Sequence, residues 1–365
     1  MWIAYFRQFA DRVWPKWLNK QHWSYKHDLC SLGFNYLAQA TGDSSWNSYV
    51  LDSARYLMDP DGTVIELFPD QSNIDKVSFG KTLRLLRDLT GDPRYVRAVN
   101  QVYGMLKDYP RTETGNFWHK NIYPDQLWLD GLYMGQPFYA ACIAERNEDK
   151  WDDIIDQFES ADKLLWNEEK GLYMHGIDCS RKMDWCDKET GLSPSVWLRA
   201  EGWYLMALCD VYEIARRHTE RAKELIPILK KALDGIMKYQ LEDSRMFLQV
   251  VDRADIEGNY PETSGSAMVA YSLMKGVRLG MLDEGCWEKG YDIIEGIRKT
   301  YLKEEDGILT LYGTCASAGL GPGPHNRPDR DGTAEYYIFR EKQDPDNLHG
   351  TGAVMMAVSE ALRRK

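Results

Sequence analysis

Apolar residues recur along this chain with the period of a helix. In 195–217, Trp197, Ala200, Tyr204, Ala207, Leu208, Val211 and Ala215 fall at i, i+3, i+4, i+7 spacing, which lays one apolar stripe along a helix face. Comparable stripes span about 3–15, 28–41, 45–58, 76–91, 93–108, 125–146, 149–165, 219–239, 262–279, 283–300 and 349–364. Turn signals separate them, such as TGDSS at 41–45, TGDP at 90–93 and GMLDEG at 280–285. The pattern therefore predicts twelve helices. Only GTVIELF (62–68) and the segment around GILTLYG (307–313) look extended.

No linker or low-complexity tract divides the chain, and no repeat of fixed period marks a solenoid. The tetrapeptide GLYM occurs at 131–134 and at 171–174, but its surroundings differ. An all-α chain of this kind is expected to close into a double ring of six inner and six outer helices, an (α/α)6 barrel. Residues 1–365 are expected to form one such domain, with the site built by long loops at one rim. Four loops have the required length and chemistry: 110–123, 166–194, 252–261 and 313–348, rich in His, Trp, Arg, Asp and Gly.

Composition narrows the function. A net charge of −11 and a pI near 5.3 argue against a duplex nucleic-acid binder, while a few local cations still allow an anionic small substrate. Thirteen Trp and 22 Tyr exceed the needs of a core whose N–H and O–H groups want partners. They suit a cleft for sugar rings or, more plainly, an aromatic-rich core. Seven scattered cysteines (Cys30, Cys142, Cys179, Cys186, Cys209, Cys286, Cys315) read as reduced thiols. With no apolar h-region at the start and no apolar run of about 18–20 residues, the expectation is a cytoplasmic protein, monomeric or a small homo-oligomer, without membrane contact.

Asp130 is the first candidate site residue. It lies in WLDGLYMGQPF, where Trp128, Leu132, Tyr133 and Phe138 would desolvate it and raise its pKa toward the protonated form of a general acid. Pro124 suits a helix start, which puts Asp130 in the second turn, and the helix N-terminus pulls weakly the other way. Gly131 and Gly135 clear space beside it for a ligand or another element. The alternative is a buried Asp held by backbone or Tyr groups. Asp75, in NIDKVSFG, is either a helix N-terminal stabiliser or a second working carboxylate.

His119 and Lys120 (FWHKNIYP) and His175 (GLYMHGID) are loop residues, either exposed or gathered around Asp130. SVWLRAEGWYLMA supplies Trp197, Arg199 and Trp203, and the partner of Arg199 is Glu201, another protein acid or a substrate carboxylate. HWSYKHD places Trp23 and Tyr25 before a helix. No metal is expected: His175, Cys179 and Cys186 share a loop, but no CxxC or HExxH accompanies them. GLGPGPHN lacks the ending of a phosphate loop, and no GxSxG is present.

Taken together, WHKNIYPDQLWLDGLYMGQPF, GLYMHGID, DWCDKETGLSPSVWLRAEGWYLMAL, NYPETSGSAMVAY and GTGAVMMAVSE resemble the unsaturated rhamnogalacturonyl hydrolases, glycoside hydrolase family 105, from about Trp23 to the C-terminus. The resemblance implies an (α/α)6 barrel and an oligosaccharide substrate left by pectin lyases, with a 4,5-unsaturated galacturonyl residue at its non-reducing end. It implies that Asp130 is the catalytic acid and Asp75 the second acidic position. Tyr25, His119, Lys120, His175, Trp197, Arg199 and Trp203 fall on pocket positions. Arg199, with His175 or Lys120, is then expected to hold the uronate carboxylate. The implied reaction protonates C4 of the enol ether and adds water at C5, without metal or organic cofactor. Other readings are an unsaturated glucuronyl hydrolase or a conventional inverting glycosidase on the same barrel, or a carbohydrate-binding helical protein without catalysis. The similarity is weakest in GPGPHNRPDRDGT (321–333), expected to shape the side of the leaving sugar.

Overall fold

The computed structural model describes residues 1–18, 22–67, 71–321 and 329–364. Among them, twelve helices alternate along the chain between an outer and an inner ring, outer first: α1 (Trp2–Arg12), α2 (Tyr25–Thr41), α3 (Asn47–Ser53), α4 (Phe79–Thr90), α5 (Pro93–Met105), α6 (Leu129–Arg146), α7 (Trp151–Leu165), α8 (Leu198–Ala215), α9 (Leu225–Ile236), α10 (Thr263–Arg278), α11 (Gly285–Tyr301) and α12 (Leu348–Arg363), with each outer helix from α3 onward packed on the inner helix before it. The even-numbered helices pack side by side, α12 returns to α2, and the ring closes as an (α/α)6 barrel. Tyr5 on α1 ties the closure: its hydroxyl donates to Asp346 Oδ1 at 2.9 Å and lies 2.8 Å from Thr351 Oγ1.

Sequence dictates which ring each helix joins. In α7 the buried apolar positions are Trp151, Ile154, Ile155, Phe158, Ala161 and Leu165, a single stripe, so its other face meets water. In α8 nearly every side chain from Leu198 to Ala215 is buried, as suits a helix surrounded by other helices. Small residues let inner helices approach: a Cβ on Gly202 would lie 2.7 Å from Met268 Cβ, and one on Gly352 2.8 Å from Leu29 Cγ.

Pro137 sits inside α6. Having no N–H, it leaves the carbonyl of Tyr133, four residues earlier, without its helical donor. Lys81 Nζ takes that place at 3.2 Å, with its ammonium 3.8 Å from the Tyr133 ring centroid.

Several expected boundaries move. The stripe at 76–91 divides into a short turn, Ile74–Val77, and α4. That at 45–58 is α-helical only over Asn47–Ser53, with 3-10 turns on either side. Of the extended segment 62–68, Val64 makes one bridge to Met58, and Phe68 lies outside the described residues. The segment 307–313 does form a hairpin, Leu302–Glu305 with Ile308–Leu311.

The most consequential shift is at α6, which begins at Leu129 rather than Pro124. Gln126–Trp128 instead form a strand antiparallel to Gly176–Asp178, with Trp128 opposite Gly176. Asp130 therefore stands in the first helical turn, beside the residue preceding Gly176, His175. Each inner helix follows an outer one, so all six inner N-termini open on one rim. There lie Tyr25, Asp130, Arg199 and His349.

Candidate active site

A cleft of about 370 Å³ at that rim is lined by Tyr25, Asp75, His119, Lys120 and Asp130, joined by Trp23, Lys26, Tyr123, Trp128, Ser317 and Arg330. A larger groove of about 1090 Å³ runs along Trp14, Tyr49, Arg55 and Tyr95. It holds none of the candidate residues, so the chemistry selects the smaller cleft over the larger.

Asp130 is mostly buried, and its Oδ2 lies 3.1 Å from His175 Nε2. The strand pairing fixes this contact, because Leu129 N–H donates to His175 O at 3.1 Å. The carboxyl does not rise as its apolar sequence neighbours suggest. Burial does push it up, but the His175 ring, through electrostatics and hydrogen bond, and His119 outweigh burial and hold it below the ordinary carboxylate range. Asp130 of the free protein is ionised at neutral pH.

Asp75 belongs to the short turn Ile74–Val77. The cap there is Asn73, whose Oδ1 accepts from Asp75 N–H at 3.0 Å, so Asp75 is released from capping. Its Oδ2 pairs with Lys120 Nζ at 2.7 Å, and its Oδ1 lies 4.0 Å from His119 Nε2. Burial opposes the charge on Lys120, but Asp75 prevails and raises its pKa.

His119 is no exposed loop residue. Its ring stacks on Trp128 at 4.2 Å between centroids and 14° between planes, and Tyr123 stacks with both, 5.0 Å from Trp128 and 6.3 Å from His119. Burial pushes the imidazole down to about 4 against the pull of Asp75, so it is neutral near pH 7. Its Nδ1 is buried and has no hydrogen-bond partner among the described residues. Gly131 faces this ring, although a Cβ there would meet His119 Nδ1 at an ordinary contact distance of 3.4 Å. Gly135 instead faces Ile74, whose Cδ1 would be 2.8 Å away. Both glycines face neighbouring protein groups, and at Gly135 the approach is too close for a side chain.

The remaining candidates lie beneath or beside the cleft. Tyr25 OH is 3.1 Å from His349 Nε2 and its ring edges onto Trp203 at 6.1 Å. Trp203 stacks on Tyr133 at 4.7 Å. Both Trp197 and Trp203 are buried, and neither is among the residues lining the cleft. Arg199 is 1% exposed, too deep to front the cleft. Its Nη1 donates to Cys315 O at 2.7 Å and Ser264 Oγ at 3.1 Å, and lies 3.7 Å from Glu262 Oε1. Its anionic partner is therefore Glu262, the N-cap of α10, and not Glu201. Glu201 accepts from Tyr173 N–H at 2.6 Å, and burial pushes it up to about 8.

Both ring nitrogens of His175 are engaged by protein groups: Nε2 by Asp130, and Nδ1 by Tyr337 OH at 2.6 Å. Tyr337, Arg330 and His349 were not singled out from sequence. The first two lie in the irregular 313–348 stretch, where no periodicity points to them. His349 follows the cap residue Asn347 and reads as part of an ordinary helix start. Arg330 reaches the cleft with Nη2 3.0 Å from Ser317 Oγ and 3.1 Å from Glu341 Oε1. Of the loop 321–333, residues 322–328 lie outside the described residues.

The barrel and its rim have known counterparts. A 37% identical C. acetobutylicum ATCC 824 glycoside hydrolase from family 105 superposes with a TM-score of 0.91, over 98% of this chain and 99% of that one. The "24.9 kDa protein in picA locus" of Rhizobium radiobacter is 38% identical over 216 residues, 58% of this chain and 90% of that protein. The unsaturated rhamnogalacturonyl hydrolase YesR of Bacillus subtilis is 27% identical over 215 residues, 57% of this chain and 59% of its own length. Glycosyl Hydrolase Family 88 matches residues 4–365, and with the family 105 neighbour this places the chain in the glycosyl hydrolase family 88/105 group.

Proposed function

We propose that this protein removes the non-reducing-end 4,5-unsaturated galacturonyl residue from lyase-generated rhamnogalacturonan oligosaccharides. One observation carries the reading: Asp130, Asp75, His119, Lys120 and Tyr25 line a single cleft of about 370 Å³, a volume suited to a sugar ring. The partial likeness to YesR agrees with it. Residues 1–365 would act as one catalytic barrel.

The rim favours an anion although the chain as a whole is acidic. Inner-helix N-termini carry partial positive charge, and Lys120 and Arg330 line the cleft. These two would hold the uronate carboxylate, with Arg199 acting from beneath through its contacts to Glu262 and Cys315. The stacked wall of His119, Trp128 and Tyr123 would carry the ring.

Asp130 is ionised in the free protein, so substrate must load it. A bound carboxylate adds negative charge and expels water, and both raise the pKa of a neighbouring acid. The protonated Asp130 then donates to C4, and positive charge develops at C5 and the ring oxygen. Water adds at C5 while Asp130 takes back a proton. The hemiketal opens to a ketone at C5, and the hemiacetal left at C1 releases the remaining sugar. Asp75, held by Lys120, would orient the water. The test is a panel of lyase-generated disaccharides from rhamnogalacturonan, homogalacturonan and glycosaminoglycans. Preferred turnover of the first supports the proposal, and preference for a glucuronyl substrate overturns it.

A further inference from the structure

The contact between His175 and Tyr337 sets a direction for the protons around Asp130. Tyr337 comes from the short helix Ala334–Phe339 within the late loop stretch, capped by Thr333. Its hydroxyl is 2.6 Å from His175 Nδ1, and His175 Nε2 is 3.1 Å from Asp130 Oδ2. Trp197 lies nearly parallel to the Tyr337 ring, at 5.8 Å and 15°, and packs against His175 at 4.9 Å. All three rings are buried.

A neutral imidazole has one N–H donor and one acceptor nitrogen. Were the proton on Nδ1, it would point at Tyr337 OH, and the bare Nε2 would face Asp130. A protonated Asp130 would then give its hydrogen to Nε2 through Oδ2, away from any substrate. With Tyr337 donating to Nδ1, Nε2 carries the hydrogen and donates to Oδ2. The acid's proton is then confined to Oδ1, the oxygen His175 leaves free. Burial raises the phenol's pKa well above its ordinary value, which keeps Tyr337 a donor.

We infer that Tyr337 is a positioning residue: by donating to His175 Nδ1 it fixes the Nε2–H tautomer and directs the catalytic proton onto Oδ1 of Asp130. The inference rests on Asp130 being the proton donor. Its structural half, the tautomer, is independent of which substrate is turned over. Tyr337→Phe keeps the ring against Trp197 and removes only the hydroxyl. Without that donor Nδ1 is free to carry the hydrogen, and the bare Nε2 would draw the acid's proton onto Oδ2, away from the substrate.

Two measurements test it. Nitrogen-15 NMR of histidine-labelled protein without substrate, with His175 assigned by comparison with His175→Gln, should show Nδ1 bare and Nε2 protonated. In Tyr337→Phe, with thermal stability as a check on folding, kcat should fall about tenfold or more with KM within about threefold. The same NMR on the variant should show the hydrogen moved wholly or partly to Nδ1. A protonated Nδ1 in the native protein overturns the inference, even if the variant fails to fold. So does a folded variant with unchanged kcat and an unchanged Nε2–H tautomer. Failure of every unsaturated uronide as substrate would instead strike the proposed function and leave the NMR result standing.

Discussion

Lys120 Nζ lies 2.7 Å from Asp75 Oδ2, and a backbone bridge between Lys120 and Asn73 locks their two segments together. Both side chains are less than one-fifth exposed, so each charge depends on the other. Replacing Lys120 by Met keeps the stem and removes the cation. Truncating one partner of a buried charge pair costs about 2–5 kcal/mol. We expect kcat/KM to fall about 30-fold or more, chiefly through a higher KM. Michaelis kinetics check this, and an unchanged KM would remove Lys120 from carboxylate binding.

Glu201 predicts a pH-dependent stability. Its folded pKa, raised by burial to about 8, lies above the unfolded value of about 4.3. A raised acid contributes stability that is full below the unfolded pKa and is lost as pH rises through the folded one. Glu201→Gln keeps an acceptor for Tyr173 N–H and cannot ionise. Its Tm should match or trail the native protein below about pH 4, gain on it as pH rises, and exceed it most above about pH 8. Melting curves across that range decide it.

Gly135→Ala tests the packing between α6 and the turn that carries Asp75. The new methyl would sit 2.8 Å from Ile74 Cδ1 and 3.2 Å from Cγ1. Alanine gains about 1 kcal/mol of helix propensity, while overpacking a buried site costs about 1–3 kcal/mol. The net expectation is a loss on the order of 1 kcal/mol with reduced activity, because Ile74 adjoins Asp75. Denaturant unfolding and kinetics on the same variant measure both parts.

The barrel was legible in sequence because its two rings differ in pattern. A stripe like that of Trp151, Ile154, Ile155 and Phe158 belongs to an outer helix, and the near-continuous burial of Leu198–Ala215 to an inner one. The site was legible as a set of residues but not as an electrostatic unit. Reading Asp130 from its apolar neighbours predicts a raised pKa. The groups that decide the outcome are His175, 45 residues away, and His119, brought in by three-residue strands too short for a periodic signal. Arg199 likewise reveals its partner, Glu262, only once α8 and α10 are side by side. Arg330 acts from irregular chain, and Tyr337 from the six-residue helix Ala334–Phe339, too short for a periodic signal.

The central claim is that Asp130 protonates an enol ether, so that the double bond is consumed as the sugar is released. Following the ultraviolet absorbance of the ene-carboxylate together with sugar release, for the native protein and for Asp130→Asn, tests it most directly. In the native protein absorbance should fall in step with release. Both should be reduced by a factor of about 100 or more in the variant. Sugar released while the absorbance persists, or near-native turnover by Asp130→Asn, would contradict it.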